Sequence, residues 1–346
     1  MSSPAGAGPL RRIAVIVPML NEAEHVEHLV EDLRAQDFAG EIEIFVADGG
    51  STDGSPERLR AAADAAGLRL TVLENPRRTA AAGLNVCLET LRGRDVDLIV
   101  RLDCHSHYPL DYLRRCAEVS QQTGAWNVGG LFVPEGRSLT ERAIACALES
   151  PFGGHNWMPA RDRRHDVDTV FCGAFRPDVF DRVGGYDESV GTAEVEDLNL
   201  RIRRAGGRVV YDPSIWLSYV PRGTFRRQFV QYYRYGVNKA AVTAKHRQPV
   251  SVRSLVPLAF VASLAVLGAA APSVPLARRL LAAEAGVYGA AALGFAAAGV
   301  RRRREPWSLL PRAVAVFPVL HLAHGLGGVH GWLAVGRRHR TGARPA

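Results

Sequence analysis

From Leu255 to Ala271 the chain runs 17 residues without a charge, and from Leu280 to Val300 it carries only Glu284. An apolar helix of about 20 residues matches the hydrocarbon thickness of a bilayer, so a chain with two such stretches does not fold as a purely water-soluble body. A third apolar stretch, Val314 to Val335, is softened by His321, His324, His330 and several glycines. Arg301 to Arg304 form a basic cluster of the kind kept on the cytoplasmic side, which makes the first two stretches an outward and a return pass. A third full crossing would carry Arg337, Arg338 and Arg340 outward, against that rule. The third segment is therefore read as re-entrant or interfacial, with an ordinary third span and a tolerated basic tail as the alternative.

Ahead of the membrane region the pattern changes to short apolar runs with polar exits. Ile13 to Val17 lead into Pro18-Met19-Leu20-Asn21-Glu22, and Glu43 to Ala47 lead into Asp48-Gly49-Gly50-Ser51-Thr52-Asp53-Gly54-Ser55. Val96 to Leu102 deliver Asp103 and His105 to a strand end. Open α/β sheets bind their ligands at such carboxyl ends. A carboxylate and a neutral imidazole there can share a divalent cation that grips a diphosphate, or simply form a polar turn. Likewise Asp48 can meet the polar edge of a base or ribose, or punctuate a turn. Arg77, Arg78 and Arg101 are candidate auxiliary cations. Thr79 to Leu91 has helical spacing, and its Asn85 is read as facing water rather than a nucleotide.

These three motifs, Val-Pro-Met-Leu-Asn-Glu, Asp-Gly-Gly-Ser-Thr-Asp-Gly-Ser and Leu-Asp-Cys-His, in this order resemble the family 2 glycosyltransferases. Within them the chain most resembles the membrane-anchored exopolysaccharide enzymes of the succinoglycan type. The resemblance runs from about Arg12 to about Lys239. It implies an α/β nucleotide-diphospho-sugar transferase fold (GT-A, Rossmann-like) followed by C-terminal transmembrane helices. It also implies that Pro18, Glu22 and Asp48 surround the nucleoside, while Asp103 and His105 hold Mn or Mg on the diphosphate. His105 replaces the commoner second aspartate, a variant that related sugar transferases also show.

A hydroxyl acceptor needs a base, and Glu194-Val195-Glu196-Asp197-Leu198 concentrates acids at a helix start. Aligned on Leu198 and Arg201, the family pattern puts Glu194 at its Glu and Val195 where the base belongs. A slip of two residues makes Glu196-Asp197 the pair. Asp197 is preferred over Glu196 and Glu194, against the plain alternative of acids favouring a helix dipole. Gly184 and Gly185 permit close approach to a sugar or make a turn. Gln231-Tyr232-Tyr233-Arg234-Tyr235 resembles the Gln-x-x-Arg-Trp signature of membrane polysaccharide synthases, with Gln231, Arg234 and Tyr235 on the diphosphate or acceptor. An amphipathic interfacial helix is the compatible alternative.

The expected organisation is a flexible start over 1–11, a transferase domain over 12–240, a linker over 241–253, a membrane region over 254–336 and a basic tail over 337–346. A net charge of +8 on 346 residues suits an anionic leaflet and anionic substrates, while no basic recognition helix argues for nucleic acid. Five cysteines without metal-ligand spacing read as reduced thiols, and the first ten residues lack a signal-peptide core. The resemblance thus implies an inverting sugar transfer from a nucleotide-diphospho-sugar, UDP-linked by preference, to a lipid-linked or growing glycan acceptor, and the apolar stretches and charge place it at the cell membrane with the catalytic domain cytoplasmic. Transfer to a polyprenyl phosphate, and a non-catalytic nucleotide- or glycan-binding membrane subunit, are the alternatives.

Overall fold

Ile13 to Val17 are almost wholly buried, as expected of a parallel strand covered on both faces. In the computed structural model, which describes residues 8–153, 161–249 and 251–341, this run is strand β1 (Arg12–Met19). Alternation of strand and helix continues through α1 (Val26–Arg34), β2 (Glu41–Asp48), α2 (Ser55–Ala66), β3 (Leu70–Glu74), α3 (Ala80–Leu91) and β4 (Leu98–Arg101). Val26, Leu29, Val30 and Leu33 recur at helical spacing and give α1 one buried face. Thr79 caps α3 by accepting from the Ala82 amide at 3.2 Å.

Further along come β5 (Ser106–His107), α4 (Tyr112–Thr123), β6 (Asn127–Pro134), α5 (Leu139–Leu148), β7 (His165–Asp166), β8 (Ala174–Phe175) and α6 (Asp178–Val183). A 3₁₀ turn (Glu188–Ala193) leads into α7 (Glu194–Arg204) and then β9 (Val209–Tyr219). The sheet order is β3-β2-β1-β4-β8-β6-β9-β5, with β7 on β9. β1 pairs in parallel with β2 and β4, and the pairs around β8 and β9 are antiparallel. Because β1 feeds neighbours on both sides, the strand order reverses there, and its carboxyl end opens the crevice where open α/β sheets take ligands. The stretches Arg208 to Tyr211 and Ile215 to Val220, readable as two short strands, form the single 11-residue β9. Asp212 holds its bend by accepting from the Ser214 amide at 2.8 Å and the Ser214 hydroxyl at 2.6 Å.

The chain divides into two compact units, Met1–Val133 with Ala160–Tyr219 and Pro134–Pro159 with Val220–Ala346. By packing, the second unit thus takes in 134–159 and 220–240 as well as the membrane region. Of the terminal segments, 1–7 and 342–346 lie outside the described residues. The second unit contains α5, α8 (Phe225–His246), α9 (Val256–Ala270), α10 (Pro275–Arg302) and α11 (Leu310–Thr341). Three helical segments, Val252–Ala270, Pro275–Arg302 and Trp307–Arg337, are long and apolar enough to cross a membrane. The third corrects the re-entrant reading, because α11 continues through Pro318 as one helix without turning back. It packs closely on α8, where a side chain at Gly327 would collide with the Tyr233 carbonyl, 2.0 Å away. Within the same unit, Glu149 at the end of α5 pairs with Arg303 at 3.2 Å and Arg302 at 3.5 Å, and Arg142 pairs with Glu305.

Candidate active site

The loops leaving β1 and β2 are built on each other. Asn21 takes a left-handed φ of +54°, donates its amide to Ser51 Oγ at 2.8 Å and accepts from the Thr52 amide at 2.9 Å. The Glu22 amide donates to Ser55 Oγ at 2.8 Å, and the Ala23 amide to Asp53 at 3.0 Å. Asp48 accepts from the Gly50 amide at 3.1 Å and from the Ser51 amide and hydroxyl, the latter at 2.6 Å. Its carboxylate thus supports the turn in which it sits, which is the punctuation role. Hydrogen bonds from Ser55 and the Ala23 amide hold the Asp53 carboxyl below the usual range. Pro18 is half-buried near the end of β1 and pairs in register with Ala47.

A second cluster forms where β4 ends. Arg101 is 8 % exposed on a strand otherwise made of Leu98, Ile99 and Val100. One guanidinium nitrogen reaches Glu194 at 3.2 Å and another reaches Asp103 at 3.3 Å, and the group lies 5.9 Å from the Tyr186 ring centre. Arg101 Nε, Glu194 Oε2 and the Tyr186 hydroxyl are buried without a hydrogen-bond partner among the described residues. Native structures leave few such groups unpaired, so three in one cluster mark a site suited to a polar ligand. The two acids respond differently to the shared cation. Burial raises Asp103, but Arg101 and then His105 outweigh it and hold the carboxyl below its ordinary value. Burial pushes Glu194 above the ordinary carboxylate range, and Arg101 offsets this only in part.

Neighbouring groups fix Asp103. The Cys172 thiol lies 3.6 Å from its second oxygen and is kept protonated by burial, which raises its pKa well above that of a free thiol. Tyr108 accepts from the Asp103 amide at 2.7 Å. His105 Nδ1 is 3.4 Å from Glu22 Oε1, and His25 lies 3.9 Å from the other Glu22 oxygen. A stack not legible in the sequence continues beside it: His28 and His107 have ring centres 4.1 Å apart, and His107 faces Asp32 at 3.5 Å. Among the described residues no three His, Cys, Asp or Glu side chains converge as a ligand set. Asp103 and His105 are the two residues that would hold a divalent cation, which would there supply charge compensation. The mixed oxygen and nitrogen donors suit Mn²⁺, and Asp103 is ionised.

The acids of α7 separate into roles. Asp197 is fully buried and bonds Arg201 Nε at 2.7 Å, while Arg201 donates to the Val183, Gly184 and Gly185 carbonyls. This carboxylate is wholly covered and anchors a turn, so the residue expected as the base also has a structural role in α7. Glu196 is 6 % exposed and Glu194 5 %, but only Glu194 bonds Arg101. Val195 is itself buried. Asn85 does not face water. It accepts from the Tyr186 amide and donates to the Tyr186 carbonyl, both at 2.8 Å. A side chain on Gly185 would lie 2.5 Å from Asn85 Oδ1, so the glycine serves this clamp. Arg77 is likewise engaged, with Glu188 at 2.9 Å.

Gln231, Arg234 and Tyr235 lie on α8 in the second unit, where Gln231 Nε2 donates to the Tyr235 hydroxyl at 3.0 Å. The structure therefore brings together Glu22, Asp103, His105 and Glu194, and keeps Asp48 at the adjoining end of β2.

Residues 14–184 match the glycosyl transferase family 2. The succinoglycan biosynthesis protein ExoA of Rhizobium meliloti (strain 1021) is 33 % identical over 314 residues, covering 90 % of this chain and 92 % of the relative. An undecaprenyl-phosphate 4-deoxy-4-formamido-L-arabinose transferase of Aeromonas hydrophila subsp. hydrophila is 26 % identical over 174 residues, 47 % of this chain and 52 % of its own length. Among solved structures, the mannosyltransferase PcManGT from Pyrobaculum calidifontis, in complex with GDP-Man and Mn²⁺, superposes with a TM-score of 0.61 at 22 % identity. It covers 92 % of this chain and 90 % of its own. That likeness establishes the GT-A fold.

Proposed function

Because the chain belongs to glycosyltransferase family 2, we propose that it is a membrane-anchored inverting enzyme that transfers a sugar from a nucleotide-diphospho-sugar, UDP-linked by preference, to a hydroxyl of a lipid-linked or growing glycan. The observation that carries this reading is Glu194, buried with one carboxylate oxygen unpaired and bound to the guanidinium that also holds Asp103. A carboxylate whose pKa burial raises is a stronger base toward an acceptor hydroxyl. In this reading Glu194 takes that proton, and Pro18, Glu22 and Asp48 border the nucleoside. Asp103 and His105 would hold Mn²⁺ or Mg²⁺, which supplies charge compensation for the leaving diphosphate. Arg234 and Gln231 offer donors to a diphosphate or acceptor, and Tyr235 offers a face for a sugar. The relation to a succinoglycan biosynthesis protein supports a role in exopolysaccharide or cell-envelope glycan synthesis. The three apolar helices and the Arg301–Arg304 cluster support a multi-pass protein of the cell membrane with its catalytic domain in the cytoplasm.

A second reading, transfer to a polyprenyl phosphate, is favoured by Val195 at the usual base position and by the relative named for undecaprenyl phosphate. That acceptor is already an anion and needs no strong base. The deciding experiment supplies radiolabelled nucleotide sugars and extracted lipid acceptors to membranes containing the protein or its Glu194→Gln variant, with Mn²⁺ or chelator. Manganese-dependent transfer that collapses in the variant supports the hydroxyl reading. Transfer to polyprenyl phosphate at the parent rate in the variant overturns it, and no transfer with any donor overturns both.

A further inference from the structure

Arg101 is one buried cation facing two acids. Its guanidinium places separate nitrogens 3.2 Å from Glu194 and 3.3 Å from Asp103, while its third nitrogen, Nε, has no partner among the described residues. Among the described residues no other cation pairs with Glu194, whose second oxygen is unpaired, and Asp103's second oxygen meets a thiol. The attachment of each acid is rigid: Asp103 is tied at its amide to Tyr108, and Glu194 starts a helix whose next turn is locked by Asp197 and Arg201. Rigid acids on one fork compete for it, because a guanidinium drawn toward one carboxylate gives up field at the other.

We propose that Arg101 is a positioning residue that divides its charge between Asp103 and Glu194, so that a divalent cation arriving at Asp103 releases the guanidinium toward Glu194, and Glu194 in turn sets how readily Asp103 accepts the cation. The metal pair and the carboxylate beside it are thus one coupled unit, joined through Arg101. The proposal rests on the reading of Asp103 as a metal-binding acid but not on Glu194 being the base.

The test is a double-mutant cycle read as Mn²⁺ affinity, measured by the electron paramagnetic resonance of free Mn²⁺ over the purified full-length protein in detergent, without donor. Glu194→Gln leaves Arg101 undivided on Asp103 and should weaken Mn²⁺ binding by about three- to tenfold. Arg101→Gln should tighten it. A direct charge effect of Glu194 on the ion would persist in the Arg101→Gln background, whereas an effect carried by Arg101 should vanish there. Equal fold-losses from Glu194→Gln in both backgrounds overturn the proposal. So does Mn²⁺ binding that Asp103→Asn leaves unchanged, which overturns the metal reading with it. If circular dichroism shows Arg101→Gln unfolded, Arg101→Lys replaces it, since an ammonium is a point charge without the planar fork that holds both carboxylates in fixed directions, and the coupling should fall there too. Transfer assays keep the two readings apart. A Glu194→Gln enzyme that fails to transfer yet shows equal losses in both backgrounds retains the base and refutes the coupling. One that transfers normally with weakened, Arg101-dependent Mn²⁺ binding does the reverse.

Discussion

Two polar regions lie at the carboxyl ends of the parallel strands, and they are built in opposite ways. Around Asp48, Ser51, Asp53 and Ser55 the short side chains bond the backbone of their own and the neighbouring loop. Around Arg101, buried donors and acceptors on Arg101, Glu194 and Tyr186 are left without partners. A fully bonded loop is a scaffold that holds its shape before any ligand arrives. An under-bonded buried cluster carries an unfavourable desolvation that a ligand can relieve, so substitutions should act on chemistry in the second region and on shape in the first.

The sharpest break of that contrast would come from Asp103. Asp103→Ala should bring transfer below detection while leaving the circular dichroism spectrum unchanged, and activity surviving in excess chelator would remove the metal from the account. Glu194→Gln should cost roughly two to four orders of magnitude in kcat with donor binding retained, as measured by single-turnover transfer and calorimetry. Its pH profile sharpens the point. Since burial raises the folded-state pKa of Glu194, a base there would be ionised, and kcat would climb, at higher pH than for an ordinary carboxylate, and the variant should lack this limb. As the folded pKa is the higher one, the ionisation costs stability as pH rises from the unfolded-state value through the folded one. Asp103 runs the other way, its stabilisation being present above the unfolded-state value and lost as pH falls through its lowered pKa.

Asp197→Asn tests shape inside α7. Breaking this pair should lower unfolding stability by about 3 kcal/mol, the lower end for a buried pair because Arg201 keeps 19 % of its side chain exposed. Chemical denaturation measures it, and a normal stability with lost transfer would return Asp197 to the role of base. Smallest is Asp48→Asn, which should weaken donor binding by roughly 1.5–3 kcal/mol through loss of a charged acceptor in the loop. An unchanged dissociation constant would leave Asp48 as a turn residue only.

The sequence disclosed what is local. Apolar runs, the Gly, Ser and Asp cluster after β2 and the Asp103–His105 pair each announce themselves within about ten residues, and all lie at strand ends as read. The partition of the α7 acids was hidden because it depends on distant partners. Glu194 is selected by an arginine 93 positions away, and Asn85 reaches a backbone 101 positions away. For Asp197, proximity to a helix start says nothing about Arg201 closing over it toward Val183. Arg101 did carry a signal, as a charge in an otherwise apolar strand, but the strand alone does not say that two acids share it.

The pairing of Glu149 with Arg302 and Arg303 bears on how orientation in the membrane can be determined. Charge reversal in the basic cluster is the natural way to ask which side the hairpin of α9 and α10 faces. Reversal at Arg302 or Arg303 would set like charges against Glu149 and perturb the helical unit itself, so a misplaced reporter would report misfolding as readily as inversion. Arg301 has no ion pair among the described residues, and it is there that a reporter fusion would read sidedness alone.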